Sequence, residues 1–334
     1  MRYRILGQRT GLRVSELVLG TGMFGTAWGY GAQPEEVRNI LKGFVDAGGN
    51  FIDIADNYQH GESERLIGEF AAGNRDGFVI ASKYSRGSAA NPALAAVGAS
   101  RKTMVRAVEE SLKRLKTDRI DLYFVHMDDG VTPVDEIARG LDDLVRSGKI
   151  VYGGFSNFAA WKIATAATVA SVRGWTPVAA IQVEYSLLQR TTERELLPMA
   201  EGLGLGVMGW SPMAGGLLTA KYRKGEKGRA TDLKASVLHD NPERNGPVLD
   251  ALLAVGEELG ANPGQVAIAW VSAKGVLPVL GPRTRAQFDE NRRLDEVSAV
   301  PLGYPHELLA APEQRAVMTG DRWEQIDYPN RTVA

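Results

Sequence analysis

Short apolar runs alternate with longer amphipathic stretches along this chain, at intervals of about 30 residues. The short runs predict strands at Leu17–Gly20, Asn50–Ala55, Phe78–Lys83, Ile120–His126, Ile150–Ser156, Ala180–Ser186, Leu205–Trp210 and Val276–Leu280. Several of them (FIDIA, FVIASK, LYFV) are nearly continuous apolar runs, the pattern of strands buried on both faces of a parallel sheet. Helices are expected between them. Pro34 suits a first helical turn, Val37, Ile40, Leu41 and Phe44 repeat at helical spacing, and Gly48-Gly49 ends that helix. Ser63 reads as the N-cap of Ser63–Ala71, with Glu64 at its positive end. Met104, Val108, Leu112 and Leu115 stripe Arg101–Leu115, and Ile137, Leu141, Leu144 and Val145 stripe the next helix, closed by Ser147-Gly148. Ala159–Arg173, Thr192–Leu203, Leu249–Gly260, Pro263–Ala273 and Ala286–Arg293 complete the helical set.

Strands each followed by a helix, eight times over, give the (β/α)8 TIM-barrel count. An open doubly wound sheet is the competing arrangement. It usually carries a G-x-G-x-x-G turn after an early strand, and none follows the first strand here. The expectation is therefore one closed α/β barrel over 1–334. Residues 1–16 should form a hairpin around Gln8–Gly11 that plugs the barrel floor, and residues 301–334 a tail without a readable pattern. Tyr84–Ser100 and Ala214–Gly246 are too long for plain connections. They should follow the third and seventh strands, on the C-terminal face where barrel active sites form.

Composition narrows the function classes. Of 334 residues, 39 are Lys or Arg and 40 Asp or Glu, a net charge of -1 that supplies no global basic field for nucleic acid or an anionic membrane. No cysteine is present, which excludes disulfides, thiolate catalysis and Cys-ligated metals. Gly202–Ala220 is uncharged and near the length of a membrane span, but Pro212 and Gly215-Gly216 make it a strand followed by a loop. Met1 to Gly11 lacks the apolar core of a signal peptide, so the reading is a soluble, cytoplasmic protein.

Chemistry enters at the strand ends. Asp53 lies within FIDIADNY, Tyr58 follows five residues later, Lys83 ends the third strand and His126 the fourth. Singly, each has a plain structural reading, as a backbone partner or a hydrogen-bonded core residue. Together they would converge over the mouth of the barrel. His60, His239 and His306 lack metal-ligand spacing, and no metal is expected.

These residues carry a resemblance to the aldo-keto reductase family. NFIDIADNYQHGESE, VIASK, DRIDLYFVHMDD, GFSN, IQVEYS and GPRTRAQFDEN occur in that order, from the hairpin to Asn291. The branch it resembles includes bacterial reductases and potassium-channel β subunits. The resemblance implies that Asp53, Tyr58, Lys83 and His126 are the catalytic positions of an NADPH-dependent reductase of aldehydes or ketones. A carbonyl under reduction needs hydride on carbon and a proton on oxygen. Tyr58 would give that proton, Lys83 would favour the phenolate, Asp53 would hold Lys83, and His126 would orient the carbonyl oxygen.

The same resemblance implies the cofactor contacts, with NADPH preferred to NADH. Ser156, Asn157 and Gln182 would meet the nicotinamide amide, and Trp210 would stack on its ring. Ser211 and Pro212 would also touch the cofactor, and Leu217, Thr219 and Lys221, in SPMAGGLLTAKY, would clasp the pyrophosphate. Gly281 would lead to Arg283 and Thr284 at a 2′-phosphate, with Gln287 and Asn291 at adenine. Trp28, Tyr30, Tyr84 and Met127 could wall a small-molecule carbonyl substrate. Glu184 shares the strand parity of Gln182 and has no assigned role. A nicotinamide-binding redox sensor or regulatory subunit on the same fold is the alternative. A Schiff-base aldolase using Lys83 is a third reading.

Overall fold

In the computed structural model, the described residues are 1–226, 228 and 241–292, with the side chains of 242 and 289–292 excepted. Two antiparallel strands, β1 (Tyr3–Ile5) and β2 (Arg13–Ser15), come first. Eight parallel strands then close into a barrel: β3 (Val18–Gly20), β4 (Phe51–Asp53), β5 (Val79–Tyr84), β6 (Ile120–Val125), β7 (Ile150–Ser156), β8 (Val178–Glu184), β9 (Gly206–Trp210) and β10 (Leu277–Leu280). β10 pairs with β3 and β9, so the sheet has no edge. The helices are α1 (Pro34–Asp46), α2 (Glu62–Ala71), α3 (Arg101–Leu115), α4 (Val134–Arg146), α5 (Ala160–Arg173), α6 (Leu196–Leu203), α7 (Pro242–Leu259), α8 (Pro263–Ala273) and α9 (Arg285–Arg292). Among the described residues, no helix is long and apolar enough to cross a membrane.

Strand alternation divides the core into two layers. Val18, Phe51, Val79, Ala81, Leu122, Phe124, Ala180, Met208 and Val279 fill the barrel interior, while Ile52, Ile80, Tyr123, Val125, Phe155 and Ile181 face the helices. The expected floor plug is present: Leu6 and Val14 of the hairpin belong to the interior cluster and are fully buried. At Gly7 (φ 67°) a Cβ would stand 2.4 Å from the backbone nitrogen of Gly206, so only glycine lets the hairpin dock this closely. Asn50, expected to begin a strand, ties the hairpin instead. Its Oδ1 accepts from Ser15 N–H (2.7 Å), and its Nδ2 donates to Arg13 O (3.2 Å).

Three helix boundaries differ from expectation, each for a local reason. Ser63 is not an N-cap: Gly61, at φ 81°, precedes α2, and the buried Ser63 Oγ donates to Thr21 O (2.9 Å). α6 starts at Leu196 rather than Thr192, after a single turn at Thr191–Glu193. Pro198 explains this, because within a longer helix it would remove a hydrogen bond and clash with the preceding turn. α7 starts at Pro242, seven residues before the expected Leu249. The side chain of Asn241 accepts from Arg244 N–H, so the last residues of the expected Ala214–Gly246 loop, and Pro247 after them, are absorbed into a capped helix. The run Gly202–Ala220 holds the end of α6, then β9 and a kinked 3-10 segment at Ala214–Thr219, broken at Gly215 and Gly216, as its glycines and proline suggest.

Candidate active site

The alternation that puts Phe51, Val79, Ala81, Leu122 and Phe124 inside the barrel carries Asp53, Lys83 and His126 to its C-terminal mouth. Lys83 is fully buried and Asp53 is 2% exposed. Lys83 Nζ has three protons and three acceptors: Asp53 Oδ2 (2.8 Å), Ile54 O (2.8 Å) and Tyr58 Oη (3.3 Å). Burial by itself would push the ammonium down, but Asp53 and Tyr58 more than offset it and hold the pKa above the ordinary lysine value. Lys83 is therefore a cation at neutral pH, not the free amine a Schiff base requires.

Tyr58 lies in the loop after β4, half-buried, with its ring edge-on to those of His126 (5.9 Å) and Trp28 (6.3 Å). Its oxygen accepts from Lys83 and donates to no described residue. His126 follows β6 directly and is 7% exposed. Burial, then the charges of Lys83 and Arg86, hold its imidazole well below the ordinary histidine range, so it is neutral at pH 7. Its Nδ1 is buried without a hydrogen-bond partner. The four expected residues thus form one contiguous group.

A second polar layer surrounds them. Gln182 Nε2 donates to Asp53 Oδ1 (2.7 Å), so both oxygens of that carboxylate are held. Asn157, in left-handed conformation (φ 58°), donates to His126 O (3.0 Å) and Ser156 Oγ (3.0 Å) and accepts from Trp210 Nε1 (3.0 Å). One amide therefore fixes the ends of β6, β7 and β9 relative to one another, and with them the half-buried Trp210 indole. This bracing role is absent from the sequence reading.

Beyond Trp210 the chain turns sharply. Ser211 (φ 57°) and Ala214 (φ 48°) are left-handed, and Ser211 Oγ accepts from Gly215 N–H (3.0 Å). Pro212 and Leu217 are buried, Thr219 Oγ1 donates to Gly216 O, and Lys221 Nζ lies 5.1 Å from the Tyr222 ring centre. Gly281 is exposed and has open space where a Cβ would stand. Thr284 and Gln287 start α9: Thr284 Oγ1 accepts from Gln287 N–H, and Gln287 Oε1 accepts from Arg283 N–H. Their side chains are thus engaged in capping. The Arg283 guanidinium lies 4.6 Å from the Tyr30 ring centre, so Tyr30 packs against the segment that leads into α9. The side chain of Asn291, and His239 and His306, lie outside the described residues.

Among the expected substrate residues, Trp28 sits against Tyr58, and Met127, 42% exposed, follows His126. Tyr84 does not line the mouth. It is fully buried, stacks on Tyr123 in the layer beneath α3 and donates to Ala99 O (2.9 Å). Alternation along β5 requires this, since Lys83 points inward. Glu184, level with Trp210 on the neighbouring strand, is partly buried.

Asp56 was not visible as special in the sequence. It is 3% exposed, and its Oδ1 lacks a hydrogen-bond partner. Burial, then the charge of Glu64, pushes its carboxyl up to about 8, against a smaller pull from Arg114. Between about pH 4 and about 8 the folded chain therefore holds a proton that the unfolded chain has lost, and stability falls as pH rises through that window. Asp56→Asn removes this dependence. Wild-type stability minus variant stability, from urea unfolding at pH 5, 6 and 7, should fall by about 1.4 kcal/mol per pH unit. A difference constant with pH would contradict the assignment.

The model of the Aldo/keto reductase family matches residues 16–298. An uncharacterized oxidoreductase of Bacillus subtilis, YrpG, is 40% identical over 309 residues, covering 89% of this chain and 92% of that protein. Norsolorinic acid reductase of Aspergillus flavus is 34% identical over 350 residues, covering 96% and 88%. The NADP(+) aryl-alcohol dehydrogenase of Phanerodontia chrysosporium is 34% identical over 322 residues, covering 90% and 83%.

Proposed function

The chain belongs to the aldo/keto reductase family, and from that premise we propose that it reduces an aldehyde or ketone to an alcohol with NADPH, Tyr58 giving the proton. It is an NAD(P)H-dependent oxidoreductase. The observation that carries the finer reading is the hydrogen-bond count at Lys83. All three of its protons are committed, one of them to Tyr58 Oη. The phenol must therefore aim its own proton away from Lys83, towards the mouth, where a carbonyl oxygen would stand.

When the proton leaves, the phenolate stays beside a buried ammonium that Asp53, Gln182 and Ile54 hold in place. His126, being neutral, has one N–H to donate to the same carbonyl oxygen. Bound NADPH supplies the hydride that the carbonyl carbon receives.

The residues present fit such a dinucleotide. The chain leaves β7 and β9 through left-handed backbone at Asn157 and Ser211, Trp210 is braced by its indole nitrogen, and Gly281 has open space where a Cβ would stand. Gln182 would meet the carboxamide, Trp210 the ring, Leu217 and Lys221 the pyrophosphate, and Arg283 a 2′-phosphate. The name of the Phanerodontia chrysosporium relative supports an aryl carbonyl as substrate. Cofactor oxidation with a panel of aryl and aliphatic aldehydes and ketones tests the reading. Tight NADPH binding without turnover of any would favour a sensor.

Arg283 allows a sharper test of cofactor choice. A guanidinium can grip a 2′-phosphate through charge-assisted hydrogen bonds worth roughly 1.5–3 kcal/mol, about one to two orders of magnitude in affinity. The wild type should therefore prefer NADPH, and Arg283→Ala should weaken NADPH much more than NADH. Equal losses for both, by titration, would remove Arg283 from the phosphate site.

A further inference from the structure

Gln59 directly follows the tyrosine at the centre of the site, yet its residue type and conformation conflict. It is fully buried, and its backbone sits at φ 48°, a left-handed conformation that glycine adopts freely and glutamine rarely. His60 (φ 52°) and Gly61 (φ 81°) continue the left-handed turn. Such strain persists only where surrounding contacts over-determine it. Here the contacts are made by the side-chain amide. Gln59 Oε1 accepts from Trp28 N–H (2.8 Å), and its Nε2 donates to Tyr30 O (3.0 Å) and Gly22 O (3.4 Å). Glu62, three residues on, adds a second grip: its Oε2 accepts from Thr26 N–H (2.8 Å) and Ala27 N–H (3.1 Å).

Every one of these bonds goes to backbone in the loop between β3 and α1. That loop's tip carries Trp28, whose ring stands edge-on to both Tyr58 and His60, 6.3 Å from each and at 82°. The amide that fixes the Trp28 backbone is thus the chain neighbour of the phenol that Trp28 faces. Any shift of Gln59 relative to Tyr58 would move the indole relative to the phenol oxygen.

We propose that Gln59 is a positioning residue that sets Trp28 as the flat wall against which a planar aromatic carbonyl substrate is held beside Tyr58. The inference rests on the reading of Tyr58 as proton donor in carbonyl reduction. It adds that aryl selectivity is built into a glutamine that itself touches no substrate. An aromatic ring gains from a second π face at a fixed offset, whereas a short aliphatic aldehyde does not reach that wall.

Gln59→Gly isolates the side chain, because glycine accepts the left-handed backbone without strain and removes only the amide. The expected result is a rise of about tenfold in the KM for an aryl aldehyde relative to that for a short aliphatic aldehyde, the weight of one to two lost hydrogen bonds. The kcat for the aryl aldehyde should change much less than its KM. Trp28→Ala should give the same change in selectivity, and the double variant no more than Trp28→Ala alone. Gln59→Ala should show the same kinetic pattern with a lower Tm than Gln59→Gly, since it keeps the backbone strain. If Gln59→Gly keeps the wild-type aryl preference, or if the two losses are additive, the positioning role is wrong. If the wild type reduces neither aldehyde, the underlying reading of Tyr58 fails instead.

Discussion

Tyr58→Phe is expected to cut carbonyl reduction by about a hundred- to ten-thousand-fold, the range that a positioned general acid contributes. The substitution keeps the ring, and with it the edge-on contacts to Trp28 and His126. It removes only the oxygen. Lys83 would lose its longest bond (3.3 Å) while keeping Asp53 and Ile54, so the fold should change little. NADPH affinity should also hold, because the proposed cofactor contacts lie on β7 to β10 and α9. The combination of retained binding and lost turnover marks a residue that acts on the reacting oxygen. Single-turnover oxidation of prebound NADPH by an aryl aldehyde measures it directly. Near-wild-type rates in the variant would assign the proton to another group.

Lys83→Met should damage both stability and rate. The thioether fills much of the stem's volume but leaves the Asp53 carboxylate, 2% exposed, with only the Gln182 amide. Breaking one side of a buried ion pair costs about 3–5 kcal/mol. The phenolate would also lose its counter-charge, so residual turnover should be slow. Adding Asp53→Asn to Lys83→Met should recover most of the lost stability, since the unpaired charge is then gone, without recovering activity. Denaturant unfolding of the three proteins, with their rates, separates the two effects. A Lys83→Met protein as stable and as active as the wild type would refute the proposed coupling of Lys83 to Asp53 and Tyr58.

The parts of the molecule legible in the sequence were those governed by periodicity. Strands buried on both faces read as continuous apolar runs, and the barrel's strands all appeared within a few residues of their structural bounds. Boundaries failed where proline acted in context. Pro198 shortened α6, while Pro247 sits inside α7 because Asn241 and Pro242 had already started that helix. The proximity of Asp53, Tyr58, Lys83 and His126 was legible because each ends or follows a strand; their catalytic role is the proposal. Tyr84 was misread although the same alternation contains the answer: with Lys83 inward, the next residue must face the helices. Gln59 and Glu62 left no signal, because their partners are backbone groups of a distant loop, which any sequence supplies. Asp56 left none either, since its perturbation comes from burial and from Glu64 on another element. Thr284 and Gln287 satisfy the start of α9, a use that the motif they belong to does not reveal.

The central claim is hydride transfer to a carbonyl carbon coupled to a proton from Tyr58. NADPH deuterated at C4, separately on each face, can be incubated with an aryl aldehyde and the wild-type protein, and the alcohol analysed for deuterium. One deuterium on the carbinol carbon per cofactor consumed, from one face of the ring only, is the expected result, with Tyr58→Phe forming almost none. Cofactor bound without any transfer of label, or label transferred equally well by Tyr58→Phe, would contradict it.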